Sequence, residues 1–404
     1  MRRGVAALAA LALLGACVRV IPEAHPPPAV PLPRPAPSPP PPPTAALLGA
    51  RPGPAVATLG LTPTATAPAL AAFRASCPKL LARSDASGLT RNADWQAACA
   101  VAVTWPDAKA DEFFAQAFET AIVGPGSSFV TGYYEPEIAG TRTHQPGFDV
   151  PVYKLPPDLV RCWPATVPPE QQVGNAPLGR IDETGQCVPY YDRAAIEAGA
   201  LAGKNLELAW AADPIEFYFL QVQGSGRLRA PDGTGMRIGY AGQNGYAYTN
   251  IGAVLRDRGL IGTGPGQYPG SMQGIVRYLR EHPDEGRALM DQNRSWVFFR
   301  ELTGIDPNQG PVGALGVPVH PKVTVAADPA FVPLGAPVWL ALDRAEASGL
   351  WVAQDTGGAI KGANRFDTFW GTGAEAAAVA GGMSGRGQAL LLLPKGTLAR
   401  LVGQ

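Results

Sequence analysis

A chain of 404 residues can hold one large domain or two of medium size, and a hydrophobic content of 46% supports a real buried core. Lysine plus arginine and aspartate plus glutamate both total 33, so the formal net charge is zero; with no basic excess for nucleic acid and no acidic block, an uncharged or mixed-charge partner fits better. The four histidines, His25, His144, His282 and His320, show no pair at ligand spacing, which argues against a histidine-built metal site.

The N-terminus reads as an export signal. Arg2 and Arg3 precede an apolar run from Gly4 to Ala16. That run is too short for a bilayer span, which needs about 20 residues, and has the length of a signal-peptide core. It ends in Leu14-Gly15-Ala16-Cys17, which resembles the lipobox of bacterial lipoproteins. The resemblance implies removal of residues 1–16 and acylation of Cys17, and several acyl chains on one residue anchor stably. Val18 rather than Asp follows the cysteine. By resemblance to enterobacterial sorting rules, that points to an outer-membrane lipoprotein facing the periplasm.

Pro22 to Pro43 holds 13 prolines in 22 residues. Such a segment forms neither helix nor sheet and extends as polyproline II, reaching on the order of 70 Å if straight. The Ala/Pro/Thr-rich stretch up to Pro68 is expected to be equally unstructured, so 17–68 reads as a tether. Cys77, Cys99, Cys162 and Cys187 remain, an even number in an exported chain, which suggests disulfides. Sequence neighbours would pair as Cys77–Cys99 and Cys162–Cys187, but three connectivities are open. No C-x-x-C favours zinc.

From 69 to about 123 the spacing predicts helices: Leu70, Phe73, Leu80 and Leu81 recur at helical intervals, as do Phe113, Phe114, Phe118 and Ile122. From Ser128 onward short apolar runs alternate with Gly, Pro, Asn and Asp turns. Pro151–Lys154, Ile215–Val222, Trp296–Phe299, Val323–Ala327, Val338–Leu342, Leu350–Ala353 and Ala389–Leu393 are the expected strands. Their spacing suggests a β-barrel or sandwich. Short helices are expected near Asp192–Gly203, Ser271–Glu281 and Ala374–Ala380. The glycines around Gly224-Ser225-Gly226 and Gly262-Thr263-Gly264 complete no dinucleotide or P-loop pattern and read as turns.

Three segments carry aspartates that look placed. They are Ala327-Asp328-Pro329 with Val332-Pro333-Leu334-Gly335, then Val352 to Gly362 (VAQDTGGAIKG), then Asn364 to Gly371 (NRFDTFWG). Asp355 ends an apolar strand and precedes a Gly-Gly pair that lets backbone approach a ligand closely. A plain turn aspartate is the alternative. Asp367 stands among Phe366, Phe369 and Trp370. Apolar surroundings raise a carboxyl pKa, and an ionised Asp355 nearby would raise it further. That produces the protonated acid which glycosidic cleavage needs. Phe369 and Trp370 also offer flat faces for sugar rings.

The pattern DPxxxPLG followed by AQDTGGAIKGANRFDTFWG resembles the 3D domain. VTGYYEP (Val130–Pro136), IEFYFLQVQGSG (Ile215–Gly226), GYAYTNIG (Gly245–Gly252) and NRSWVFF (Asn293–Phe299) are similar to segments of the membrane-bound lytic murein transglycosylase A family, so that about 70–404 is covered. The resemblance implies a mainly β fold with helices: a discontinuous double-psi β-barrel from 69–140 and 291–404, with the 3D domain at about 320–396. A smaller barrel would be inserted at 141–290, and a glycan groove would lie between the two. It implies cleavage of the β-1,4 bond between N-acetylmuramic acid and N-acetylglucosamine, without water and without a cofactor, leaving a 1,6-anhydromuramoyl end.

On that reading Asp367 is the single acid, then base. Asp355 supports it, and Asp328, beside Pro329, has a structural part. Thr131, Tyr133, Gln223, Gly224, Ser225, Gly226 and Lys361 are the candidate substrate contacts. Glu135 is not taken as catalytic. The expected partners are peptidoglycan glycan strands and the membrane through the lipid anchor, with no nucleic acid; proteins of a wall-synthesis complex stay open. Two rivals stand beside this. One is an inverting hydrolase using Asp355 and Asp367; the other is a wall-binding lipoprotein with no activity.

Overall fold

A computed structural model describes residues 43–304 and 309–402. Cys17 and the proline-rich run up to Pro42 lie outside the described residues. The tether expected over 17–68 ends sooner than its composition suggests. Ala45–Leu48 forms a helical turn, Ala50–Pro52 a strand, and Pro63–Leu80 a long helix. Ala45 is fully buried and its amide donates to Ala330 O. Pro63 occupies the first turn of the helix, where a missing N–H costs nothing.

Six strands close a barrel. Ser127–Glu135 pairs with Arg365–Thr372, which pairs with Thr324–Ala327, then Gly349–Asp355, Pro337–Leu342 and Ser384–Pro394; the last returns to Ser127–Glu135. Each of the six contributes one side of its alternation to a common core, through Val130, Phe366, Val325, Trp351, Val338 and Leu391. The expected strands around residues 325, 340, 351 and 391 are all present. Outside the barrel, the helices Pro63–Leu80, Asn92–Ala102 and Ala110–Ala117 bury Phe73, Trp95, Phe113 and Phe114 against Val352 and Leu392. Phe118–Val123 is a strand rather than the continuation of a helix. Its apolar residues fit either period: Phe118 meets Phe73 edge-on, while its backbone pairs with Pro394.

A second sheet of six strands runs Val297–Glu301, Gly235–Gln243, Ser225–Arg229, Glu137–Thr141, Glu207–Ala211, Val150–Tyr153. A bridge between Lys154 and Phe299 closes it into the smaller barrel. The chain passes between barrels at Pro136, not after residue 140, and Val297–Glu301 belongs to the second barrel although a boundary at 290 was expected. Ile215–Val222, expected as a strand, lies in the helix Pro214–Gln223. Its ends decide this. Asp213 Oδ1 accepts from the amides of Ile215 and Glu216, Pro214 opens the first turn, and Gly224 closes the helix with a left-handed φ of 78°.

The structure pairs Cys77 with Cys99 and Cys162 with Cys187, at Cα separations of 5.6 and 5.8 Å. The first fastens two of the outer helices across 22 residues. Replacing Cys77 and Cys99 together by Ala is expected to lower stability by about 3 kcal/mol, because the unfolded chain regains loop entropy. A guanidinium unfolding curve reads this, and an unmoved midpoint would contradict it.

Candidate active site

One register row across four neighbouring strands assembles the site. Asp367 stands opposite Thr131 on one side and Ala326 on the other, and Ala326 stands opposite Asp355. The two aspartates therefore flank a single small residue. Side chains two positions apart in a strand share a face, so Tyr133 follows Thr131 and Phe369 follows Asp367. Tyr133, Phe369, Ala326, Val319 and Ile360 form a small apolar cluster beneath the carboxylates. The rings of Tyr133 and Phe369 lie 5.0 Å apart.

The two carboxyls have different surroundings. Asp367 Oδ1 accepts a 2.6 Å hydrogen bond from the Thr131 hydroxyl, and Arg365 Nη2 donates to the same Thr131 Oγ1 at 2.8 Å. Among the described residues no hydrogen bond reaches Oδ2. Burial is the main force on this carboxyl and pushes its pKa from 3.8 up to about 6; the Thr131 bond and the Arg365 charge pull it down, and the Asp355 charge adds to the rise. Asp355 is held on both oxygens. Its Oδ1 accepts from the amides of Ala314 and Thr356, each at 2.9 Å, and its Oδ2 accepts from the Tyr133 hydroxyl at 3.0 Å. Burial raises the Asp355 pKa too, opposed by those three donors. Burial and the Asp355 carboxylate also keep the Tyr133 phenol protonated, far above its ordinary range.

Several expected contacts take other parts. Thr131 was expected to donate to substrate, but its only hydrogen goes to Asp367, and Arg365 takes one of its two acceptor positions. Tyr133 is buried and bound to Asp355. Phe366 and Trp370 do not surround Asp367: both point into the barrel core on the opposite face, and Trp370, whose indole donates to Thr368 Oγ1, is no platform for a sugar. Of the expected aromatics only Phe369 lies beneath the acid, and it is fully buried. Gln223 Oε1 accepts from the amide of Tyr134, tying the second barrel to the Thr131 strand. Gly224 is the helix cap. Gly226 is small by necessity, since a Cβ there would lie 2.5 Å from Leu220 Cδ1 and 3.0 Å from Pro136 O. Ser225 opens the strand after the cap. Lys361 is exposed on the loop that follows Asp355. Asp328 acts on that loop, accepting from the Gly362 amide at 2.8 Å and the Ala330 amide at 3.1 Å.

Arg365, Ala314 and Tyr248 escaped the sequence reading. Arg365 could have been found from the period of two that places it on the face of Asp367. Tyr248 sits in the recognised GYAYTNIG segment of the second barrel, and its phenol, raised mainly by burial, feels the Asp367 charge. The second barrel thus faces the acid. Ala314 contributes only its backbone amide, which no residue type announces. Among the described residues no cluster of His, Cys, Asp or Glu could hold a metal ion.

Comparison with known proteins agrees with this geometry. Residues 129–300 match the family described as the MltA specific insert domain, and 323–393, which hold Asp328, Asp355 and Asp367, match the 3D domain. The crystal structure of a membrane-bound lytic murein transglycosylase from Agrobacterium tumefaciens superposes with a TM-score of 0.70 at 31% identity, over 81% of this chain and 94% of that one. The chain belongs to the membrane-bound lytic murein transglycosylase A family. The Escherichia coli K12 member is 34% identical over 268 residues, 63% of each chain, so the matched segment spans just under two thirds of that curated relative. The structure of Escherichia coli MltA with bound chitohexaose aligns with a TM-score of 0.56 at 28% identity, over 82% of this chain and 89% of that one.

The raised acidity constant of Asp367 has a stability consequence. Below about pH 3 the carboxyl is protonated in folded and unfolded chains alike and costs nothing. As pH rises through 4 to 6 the unfolded chain releases the proton first, so stability falls, by about 3 kcal/mol once pH exceeds 6. Asp367→Asn removes this loss. Its thermal midpoint is expected to exceed that of the parent at pH 7.5 and to match it at about pH 3. Equal midpoints at both values would show that Asp367 ionises freely in the fold.

Proposed function

We propose that the protein is a peptidoglycan lytic transglycosylase. It would cleave between N-acetylmuramic acid and N-acetylglucosamine with Asp367 as acid and then base. The observation that carries this is a half-buried carboxyl whose pKa desolvation lifts to about 6, with one oxygen fixed by Thr131 and, among the described residues, no donor on the other. Protonated Oδ2 gives its proton to the glycosidic oxygen as the C1–O4 bond breaks. The carboxylate so formed takes the proton of the muramic C6 hydroxyl, and O6 closes on C1. One bond breaks, one forms, the proton returns to Asp367, and no water enters. Closure within one sugar outcompetes an external nucleophile because the reacting atoms are already joined. The chitohexaose held by the Escherichia coli relative is a β-1,4 chain of the same sugar type, which supports a glycan substrate.

Asp355 is poorly placed as a hydrolytic base, since both its oxygens already accept hydrogen bonds from protein donors. It serves instead as a fixed negative charge two strands from Asp367. That charge favours the proton on Asp367 and the positive charge that develops at C1. The family includes membrane-bound proteins, and among the described residues no helix is long and apolar enough to cross a membrane. Acylation at Cys17, with the proline-rich run as a tether from the outer membrane into the periplasm, fits both facts.

The test is digestion of purified peptidoglycan followed by mass spectrometry. The parent is expected to release 1,6-anhydromuramoyl products, and Asp367→Asn to lose activity on the order of 10²–10⁴-fold. Reducing muramic ends would mean an inverting hydrolase. Undiminished turnover by Asp367→Asn would remove Asp367 from the mechanism.

A further inference from the structure

The Asp367 side chain does not act on its own, because the Thr131 hydroxyl bound to it is itself constrained. Arg365 Nη2 donates to Thr131 Oγ1. A guanidinium has donors and no acceptor, so Thr131 accepts from Arg365; that charged donor polarises the hydroxyl, favours its single hydrogen as donor to Asp367 Oδ1, and disfavours a second hydrogen bond into the same oxygen. The Arg365 side chain is held for this. Nη1 donates to the carbonyls of Phe129 and Phe366, and the guanidinium lies 4.8 Å from the centroid of the Phe129 ring. Arg386 stacks on the same ring at 5.0 Å. Arg365 forms no salt bridge among the described residues, and is partly buried with its donors directed at carbonyls and one hydroxyl.

We infer that Arg365 is a positioning residue that fixes the direction of the Thr131–Asp367 hydrogen bond and so confines the catalytic proton to Asp367 Oδ2. Without it the bond can reverse. A protonated Asp367 would then donate from Oδ1 to Thr131 Oγ1, and its proton would face the protein instead of the glycosidic oxygen. With Arg365 in place, Oδ1 is an acceptor in both halves of the reaction. The inference rests on the proposed acid–base role of Asp367, but concerns a residue that role does not itself require.

The groups that face Asp367 define what a titration would report. Thr131 and Tyr133 come from its parallel neighbour strand, Asp355 from beyond Ala326, Arg365 from its own strand, and Tyr248 from the second barrel. Arg386, on the strand paired to the far side of Thr131, is directed to Phe129. Glu375, on the helix Gly373–Gly382 that covers these strands, lines a separate outer hollow with Lys322 and Arg344. Of these, Arg365 and Thr131 lower the pKa of the acid and Asp355 raises it.

The experiment compares the parent with Arg365→Met, Arg365→Lys and Thr131→Val in the full chain. The first readout is the Asp367 carboxyl titration by 13C NMR without substrate. The second is kcat and KM against pH on glycan strands. Arg365→Met is expected to raise the Asp367 midpoint above that of the parent and to carry the alkaline limb of kcat upward. It should also lower kcat about ten-fold, the scale of one hydrogen bond to a charged group, with KM little changed. Arg365→Lys keeps the charge and should return the midpoint toward that of the parent. Added to Thr131→Val, Arg365→Met should cost less than ten-fold, since no hydroxyl remains to orient. An Asp367 midpoint and a kcat limb that do not move in Arg365→Met would overturn the inference, as would full additivity with Thr131→Val. If the midpoint moves while the parent releases no anhydro ends, the lytic reading fails and the orienting role of Arg365 on this carboxyl stands.

Discussion

The hydrogen bond from Thr131 to Asp367 joins residues 236 positions apart, and it exists because two strands run parallel side by side. Parallel strands cannot be joined by a tight turn; the chain must cross over before it returns. Here the whole of the second barrel lies within that crossover. The same row then continues through Ala326 to Asp355. A small residue between two acids keeps them on one surface, close enough for the Asp355 charge to bear on Asp367. The active-site row and the presence of a second barrel beside it are thus consequences of one pairing.

On the proposed mechanism that row has to satisfy two opposed demands. A group that donates a proton in one half of a reaction and accepts one in the other must be neither a strong acid nor a weak one at working pH. Burial over Tyr133, Phe369, Ala326, Val319 and Ile360 alone would hold Asp367 protonated. Thr131 and Arg365 alone would hold it ionised. Both are present, and the balance lies near 6. The fold bears the cost of this compromise, because an ionised carboxyl over an apolar floor is a destabilising element that no packing argument would place there.

Much of this was legible in the residues. Short apolar runs bounded by turn residues located the barrel strands around 325, 340, 351 and 391, and the even cysteine count pointed to disulfides while leaving three connectivities open. Local chemistry picked out Asp355 and Asp367. Other features were not legible, for definite reasons. Ile215–Val222 is an apolar run of a length that helix and strand share, and its caps, Asp213 and Gly224, carried the answer. Ala45 is ordered by burial and the strand at 50–52 by pairing with Phe118–Val123, neither of which a local Ala/Pro composition reveals. Trp370 stood three residues from Asp367 in the chain and was read as its neighbour in space, although residues an odd number apart along a strand face opposite ways. Ala314 holds Asp355 through an amide that every residue but proline possesses.

The density of the segment TGYYEP follows from the same alternation. Thr131, Tyr133 and Glu135 share one face of the strand. The first holds Asp367 and the second holds Asp355. The third is a fully buried carboxylate gripped by Arg227 and Arg237 from the second barrel. On the other face Val130 joins the barrel core, and Gly132 lies where a Cβ would come within 2.9 Å of both Trp370 Nε1 and Ala380 Cα. Between Tyr133 and Glu135, the Tyr134 amide binds Gln223. Removing either partner of a buried ion pair leaves an uncompensated charge, so the Glu135 junction resists being pulled apart. One strand therefore positions the acid, its supporting carboxylate and the second barrel together.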